Sequence, residues 1–416
     1  MKRTLKLIFL TLILLLIIAP EWPDYGDEEY YIDQLIGSHY FNFVTWETAA
    51  IGQKMEAILG RGHQSLSDEE RKEIVITYLT MMYKVGRLEA EIESVYVDPD
   101  VTDPLAKTAV LRQDLTDLRA EMSELQPLAE AILQDQVSIV LAEEGLAVVN
   151  QTWPPVMMKM TPLPLVFIIS PRDRVDRLYG YALEAGFPVA EREILETAVY
   201  DQLDLSALVV PIGGMGSYPA MVNETANINW LMTVIAHEWT HHWLTLHPLG
   251  LVYLESPQLR TINETVASIV GDEVGAMVIE RFYPEYAPPP AQENTDDETA
   301  APEPPAFDFR AEMSVTRVEL DRLLADGKID EAEAYLEDRR RVFVENGYNI
   351  RKLNQAYFAF YGAYADSGGA TGADPIGPML LEMREKSPSL RAFMDAVAPI
   401  NSYEEMLSVY DEMMEN

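Results

Sequence analysis

Ile228 to His247 reads INWLMTVIAHEWTHHWLTLH, and the rest of the chain is organised around it. At its centre is His237-Glu238-Trp239-Thr240-His241, an H-E-x-x-H pentapeptide. On an α-helix, residues four apart are separated by about 40° around the axis and about 6 Å along it. His237 and His241 therefore share a face, and both imidazoles can reach one metal ion. Zinc suits two neutral imidazoles, at about 2.0–2.1 Å each. Glu238, beside the first of them, can reach a water at the ion. Such a water needs its pKa lowered and a base to take its proton, and zinc with Glu238 would supply both. Leu231, Val234, Ile235 and Ala236 just before the motif are apolar, as in a helix buried beneath a site. With six His and 68 acidic residues in 416, chance supplies roughly 0.01 such motifs. Buried His and Glu are costly without partners, which disfavours a plain core helix.

A third ligand must come from elsewhere, and two residues compete. His247 completes a stretch with the length of the metzincin pattern H-E-x-x-H-x-x-G-x-x-H. That pattern turns at a glycine, and here Leu244 stands in its place. If the helix continues, His247 points about 80° from His237, on the side opposite His241. Glu264 is the other. It falls in the helical-period run TINETVASIVGDEVGAMVIERF, where a carboxylate is expensive to bury unless paired or bound to metal. Glu264 is the better fit.

H-E-x-x-H followed by Asn263-Glu264-Thr265-Val266-Ala267 resembles the gluzincin zinc metallopeptidases, the thermolysin-like group. The resemblance spans about residues 205–285. It implies His237, His241 and Glu264 as zinc ligands and Glu238 as general base in peptide-bond hydrolysis. It departs from the group at Ser268, where an Asp often orients a ligand His. Asp272 or Glu273 could substitute, and a weaker partner there would affect metal affinity.

The chain has 31 Lys and Arg against 68 Asp and Glu, a formal charge of −37. That argues against nucleic acid and against electrostatic attachment to anionic lipid. It keeps the protein soluble. Cysteine is absent, which excludes disulfides, thiolate zinc sites and cysteine nucleophiles. Lys2, Arg3 and Lys6 precede the apolar run Leu7 to Ala19, the design of a signal peptide or membrane anchor. No A-x-A cleavage site follows. Residues 1–22 are therefore set apart from the fold, and the body is expected outside the cytoplasm, secreted or anchored.

Residues 23–160 read as a helical N-terminal region. Apolar positions recur at helical spacing, and Ser67-Asp68-Glu69-Glu70 is a helix-start signal. His39 and His63 are lone histidines without a partner motif. Residues 161–416 are expected to form the zincin-like domain. LPLVFIIS (163–170) and LSALVVPI (205–212) read as buried strands. In the resembled group, the loop before the zinc helix holds an extended substrate, and residues 213–219 would do so here. This loop lacks the Glu with which aminopeptidases of the group bind a substrate amine. Carboxypeptidase action would need a cation for a terminal carboxylate, with Arg260 and Arg281 the nearest to the motifs. APPPAQENTDDETAAPEPP (287–305) reads as a disordered acidic loop.

Ile329 to about Tyr364 is periodic as one helix, which sets Tyr357, Tyr361 and Tyr364 on one face. A gluzincin needs a Tyr or His donor for the oxyanion, and Tyr357 or Tyr361 is the expected one. The fold class is thus α+β, mainly helical, with a small sheet. The function is zinc-dependent hydrolysis of a peptide or protein substrate. The alternatives are a metzincin-like enzyme using His247 and an inactive extracytoplasmic binding protein that keeps the fold.

Overall fold

The computed structural model describes residues 28–60, 65–97, 101–149, 151–289, 307–365 and 369–415. The apolar N-terminal segment, His63 and the Pro-rich stretch from 290 onward lie outside these residues. The protein is α+β and mainly helical. Among the described residues, no helix is long and apolar enough to cross a membrane.

The first half is built from helices Glu28–Ile36, Phe43–Gly60, Asp68–Val97 and Ala109–Glu143. Ser67 and Glu70 cap the third of these reciprocally. The Ser67 amide donates to the Glu70 carboxylate at 2.8 Å, and the Glu70 amide to the Ser67 hydroxyl at 3.3 Å. The two long helices do not bury a core of their own. Val75, Leu79, Ile132 and Val137 share one apolar cluster with Ile235, Trp239, Val270 and Val274. Met158 and Met160 belong to it too, so the boundary expected at 160/161 does not separate two cores.

Three small sheets follow: the hairpin β1 (Ala147–Val148) with β2 (Gln151–Thr152), and two of three strands. One contains β3 (Met158–Met160), the other β4 (Leu165–Pro171) and β5 (Tyr179–Leu183). Helix Val189–Leu203 leads into β6 (Leu205–Pro211), then β7 (Gly214–Met215) and β8 (Ala220–Val222). β5-β4-β6 is antiparallel throughout. Its central strand is apolar at nearly every position because both faces are covered. Leu165, Phe167 and Ile169 pack with Leu195 and Val199 on one side. Val166 and Ile168 pack with Ala356 and Ala359 on the other. In β3-β8-β7, β3 runs parallel to β8 while β7 pairs antiparallel to it and forms the outer edge.

Helix Ile228–Leu244 carries H-E-x-x-H. Asn227 caps its start, its side chain accepting from the Trp230 amide at 3.2 Å. Helix Pro257–Phe282 carries Glu264 and begins at Ser256, which accepts from the Leu259 amide at 3.2 Å. Two glycines let these helices touch. A Cβ on Gly271 would stand 2.9 Å from the Thr233 carbonyl oxygen and 3.0 Å from the His237 Cβ. One on Gly275 would stand 2.8 Å from the Thr233 amide nitrogen. This close approach brings Glu264 within reach of both histidines.

Helices Phe309–Ala325, Ile329–Glu345, Gln355–Tyr361, Ile376–Lys386, Leu390–Val397 and Tyr403–Glu415 complete the fold. The single helix expected from Ile329 to Tyr364 is two. Gly347 takes the left-handed conformation at φ +90°, which ends the first. Asn354 then caps the second by accepting from the Tyr357 amide at 3.0 Å. Tyr364 lies just beyond the second helix.

Candidate metal centre

His237, His241 and Glu264 converge. The two Nε2 atoms are 3.1 Å apart. Glu264 Oε2 is 3.5 Å from that of His237 and 3.4 Å from that of His241. Arms of about 2.0–2.1 Å to a tetrahedral zinc put ligand atoms about 3.3 Å apart, so the three atoms already form one face of such a tetrahedron. Glu264 is 6% exposed, and its Oε2 is buried with no hydrogen-bond partner. A buried carboxylate oxygen left bare beside two imidazoles is what a cation would satisfy. The residues present therefore fit a metal.

Neighbours fix the three side chains in place. Tyr253 donates its hydroxyl hydrogen bond to Glu264 Oε1. Asn263 Oδ1 lies 2.9 Å from His241 Nδ1, and the Asn263 amide donates to the Leu249 carbonyl at 3.2 Å. If His241 carries its proton on Nδ1, that contact leaves Nε2 free for a metal. Burial opposes charge on His241, but Glu264, with Glu238 and Asn263, outweighs it and pushes the imidazole up to about 9 when no cation is present. Glu264 is held well below the usual carboxylate range. Burial works the other way, but the two imidazoles prevail.

Glu238 is 4% exposed, and its Oε2 also lacks a hydrogen-bond partner. Burial pushes its carboxyl up, while His237 and His241 pull it down less strongly. The edge strand β7 lies against this carboxylate. A Cβ on Gly214 would stand 2.1 Å from Glu238 Oε1, so any larger residue there would displace the carboxylate. The loop after β7 is tied to the same helix by His242, whose Nε2 lies 2.6 Å from the Ser217 carbonyl oxygen. Burial lowers His242 to about 4, so at neutral pH it is an uncharged donor in that bond.

His237 and Glu238 line a cleft of about 420 Å³. Gly213, Gly214, His237 and Glu238 form one part of its wall, with Ser268 and Asp272 near them. Tyr357, Tyr361 and Tyr364 all reach it despite the helix break. Of the three, Tyr364 is the one whose ring packs on His237, at 6.3 Å between centroids and 30° between planes.

His247 stays off the cluster. It caps the short helix Pro248–Leu251, its Nδ1 lies 2.8 Å from the Trp243 carbonyl oxygen, and its ring stacks on Trp243 at 3.8 Å. Helix Ile228–Leu244 ends before it, so it never shares the face of His237. Glu273 turns away to Arg384, with Oε2 2.8 Å from Nε. His39 pairs with Glu184 at 2.7 Å, far along the chain from the motif. Tyr253 and Asn263 were not assigned roles from sequence. Asn263 adjoins Glu264 and was legible there, whereas nothing in the pattern around Tyr253 marks it.

Comparison with protein-family models, with curated proteins and with solved structures gave no match to this chain.

Proposed function

We propose that this protein is a zinc-dependent peptidase of the gluzincin type, acting outside the cytoplasm. One observation carries the reading. Two imidazoles and a carboxylate converge in a His₂Glu set, with the buried Glu238 beside His237 and these last two lining one cleft. Three protein ligands with room for a fourth is the catalytic pattern for zinc, whereas structural sites are closed by four.

Zinc held by His237, His241 and Glu264 would acidify a water and polarise a carbonyl. The chain's own residues do the rest. Glu238 accepts the water proton at its carboxylate and passes it to the departing amine. The outer edge of β7 offers backbone groups to an extended peptide, which Gly213 and Gly214 allow to approach closely. A tyrosine of the cleft donates to the negative charge that develops on the substrate carbonyl oxygen. Tyr357 and Tyr361 are the donors expected from sequence, and the packing on His237 favours Tyr364.

The test is hydrolysis of a mixed peptide pool by the zinc-loaded protein, with and without chelator, beside Glu238→Gln. Chelator-sensitive cleavage that Glu238→Gln abolishes while keeping its zinc supports the reading. Full activity in Glu238→Gln rules out the mechanism. Bound zinc with no cleavage of any peptide leaves a binding protein.

A further inference from the structure

Among the described residues, two arginines next to the candidate metal centre form no ion pair. Arg260 lies four residues before Glu264 on the same helix. It is 7% exposed, and its Nε is buried with no hydrogen-bond partner. No ion pair to Arg260 or to Arg177 occurs among the described residues. Arg281, the other cation expected near the motifs, is taken up by Glu143. In a chain of net charge −37, two unpaired guanidiniums in one place are unexpected, since most arginines here are paired with carboxylates.

Both line a pocket of about 210 Å³. It lies across the segment Gln355–Tyr364 from the catalytic cleft. Tyr357, Phe360, Tyr361 and Tyr364 face the cleft, while Phe358, Ala359, Gly362 and Ala363 face the pocket. Arg177 folds back over β5, where Gly180 makes room. A Cβ there would stand 2.0 Å from an Arg177 guanidinium nitrogen. The remaining charged groups on the wall are largely engaged. Arg317 pairs with Asp321 at 2.9 Å, Asp374 accepts from the Ile376 amide at 2.9 Å, and Asp176 lies 3.8 Å from Arg174. Burial, and then Arg177, hold Arg260 below the usual arginine range, with Tyr253, Asp176 and Glu264 acting the other way. Arg177 also acts on both tyrosines that flank the metal ligands, Tyr253 and Tyr364.

Guanidinium is planar and matches a carboxylate with two parallel hydrogen bonds. Leaving Arg260 buried and bare beside a second, partly buried guanidinium is costly, and a bound anion would reduce that cost. We propose that Arg177 and Arg260 form a carboxylate-binding pocket beside the metal centre. The carboxylate is either that of a peptide substrate or that of a separate small acid. The first source rests on the peptidase reading, and the pocket itself does not.

The test is isothermal titration of zinc-loaded protein with N-acetyl-Ala-Ala, with its C-terminal amide, and with acetate. Wild type is compared with Arg177→Gln and Arg260→Gln, in which the metal ligands are intact. The expected result is binding of the dipeptide acid that weakens at least tenfold on amidation and at least tenfold in either variant. If acetate shows the same arginine dependence, the ligand is a free small acid. If only the dipeptide acid does, the carboxylate belongs to the peptide. The proposal is overturned if the acid does not bind, or if its binding is indifferent to amidation or to the arginines. Arg177 is only partly buried, so Arg177→Gln decides the matter should Arg260→Gln fail to fold. Hydrolysis is measured in parallel. Arginine-dependent binding without cleavage keeps the pocket and removes the peptidase reading. Cleavage indifferent to the arginines and to amidation does the reverse.

Discussion

Tyr253 and Glu264 are joined through Oε1, which leaves Oε2 of the same carboxylate to face His237 and His241. The tyrosine therefore decides which oxygen would be offered to a cation. Groups in this position affect metal affinity by about 10–100-fold. Tyr253→Phe should keep the fold and weaken zinc binding within that range, measured by competition with a chromophoric chelator. Asn263→Ala, which frees the His241 ring, should do the same. Unchanged affinity in both would mean that the metal ligands need no such support.

The third ligand is checked by metal content. Wild-type protein should hold one zinc per chain, Glu264→Ala should lose it, and His247→Ala should keep it. His247 is occupied by Trp243 on both its ring face and its Nδ1. Loss of zinc from His247→Ala alone would move the site to the metzincin arrangement.

Among the three tyrosines of the cleft, Tyr364→Phe should cost the most. A single oxyanion donor is worth about 10²–10³ in kcat, and KM should change little. Tyr357→Phe and Tyr361→Phe should cost less, because their rings pack on each other at 4.5 Å and not on His237. Steady-state kinetics on one good peptide separates these cases. A larger loss in Tyr357→Phe or Tyr361→Phe would return the role to the residues expected from sequence.

The glycines separate catalysis from stability. Gly214→Ala drives a methyl group onto Glu238 Oε1, so activity should fall sharply while zinc content and melting temperature stay close to wild type. Gly275→Ala meets the Thr233 backbone instead. Backbone cannot swing aside as a side chain can, and overpacking of this kind costs about 1–3 kcal/mol. Thermal melts should show a clear drop for Gly275→Ala and little for Gly214→Ala.

The cluster of His237, His241 and Glu264 was legible because helix periodicity and the cost of burying charge both act locally. The strands at 165–171 and 205–211 were legible because both faces are covered, so the residues are apolar at nearly every position. What the sequence hid was tertiary. The long N-terminal helices look independent by composition, yet they complete the core under the H-E-x-x-H helix. β7 and β8 are two and three residues long, too short to carry a period. The break at Gly347 lies inside a periodic run, and a single glycine there reads as tolerable until its positive φ is known. Arg260 was visible as a nearby cation, but its lack of a partner is a property of three-dimensional neighbours.

The contact between Gly214 and Glu238 also constrains how such a cleft can be re-engineered. The strand offered to a substrate and the base that would act on it occupy one shared volume, so any side chain added at 214 to sharpen selectivity is registered first as lost turnover. Diversity has to enter from another wall of the cleft, where Phe309, Arg310 and Met313 are contributed by a helix that holds neither the base nor the ligands. Of these, Arg310 is exposed while Met313 belongs to a core cluster, so Arg310 is the position that can vary without disturbing the packing.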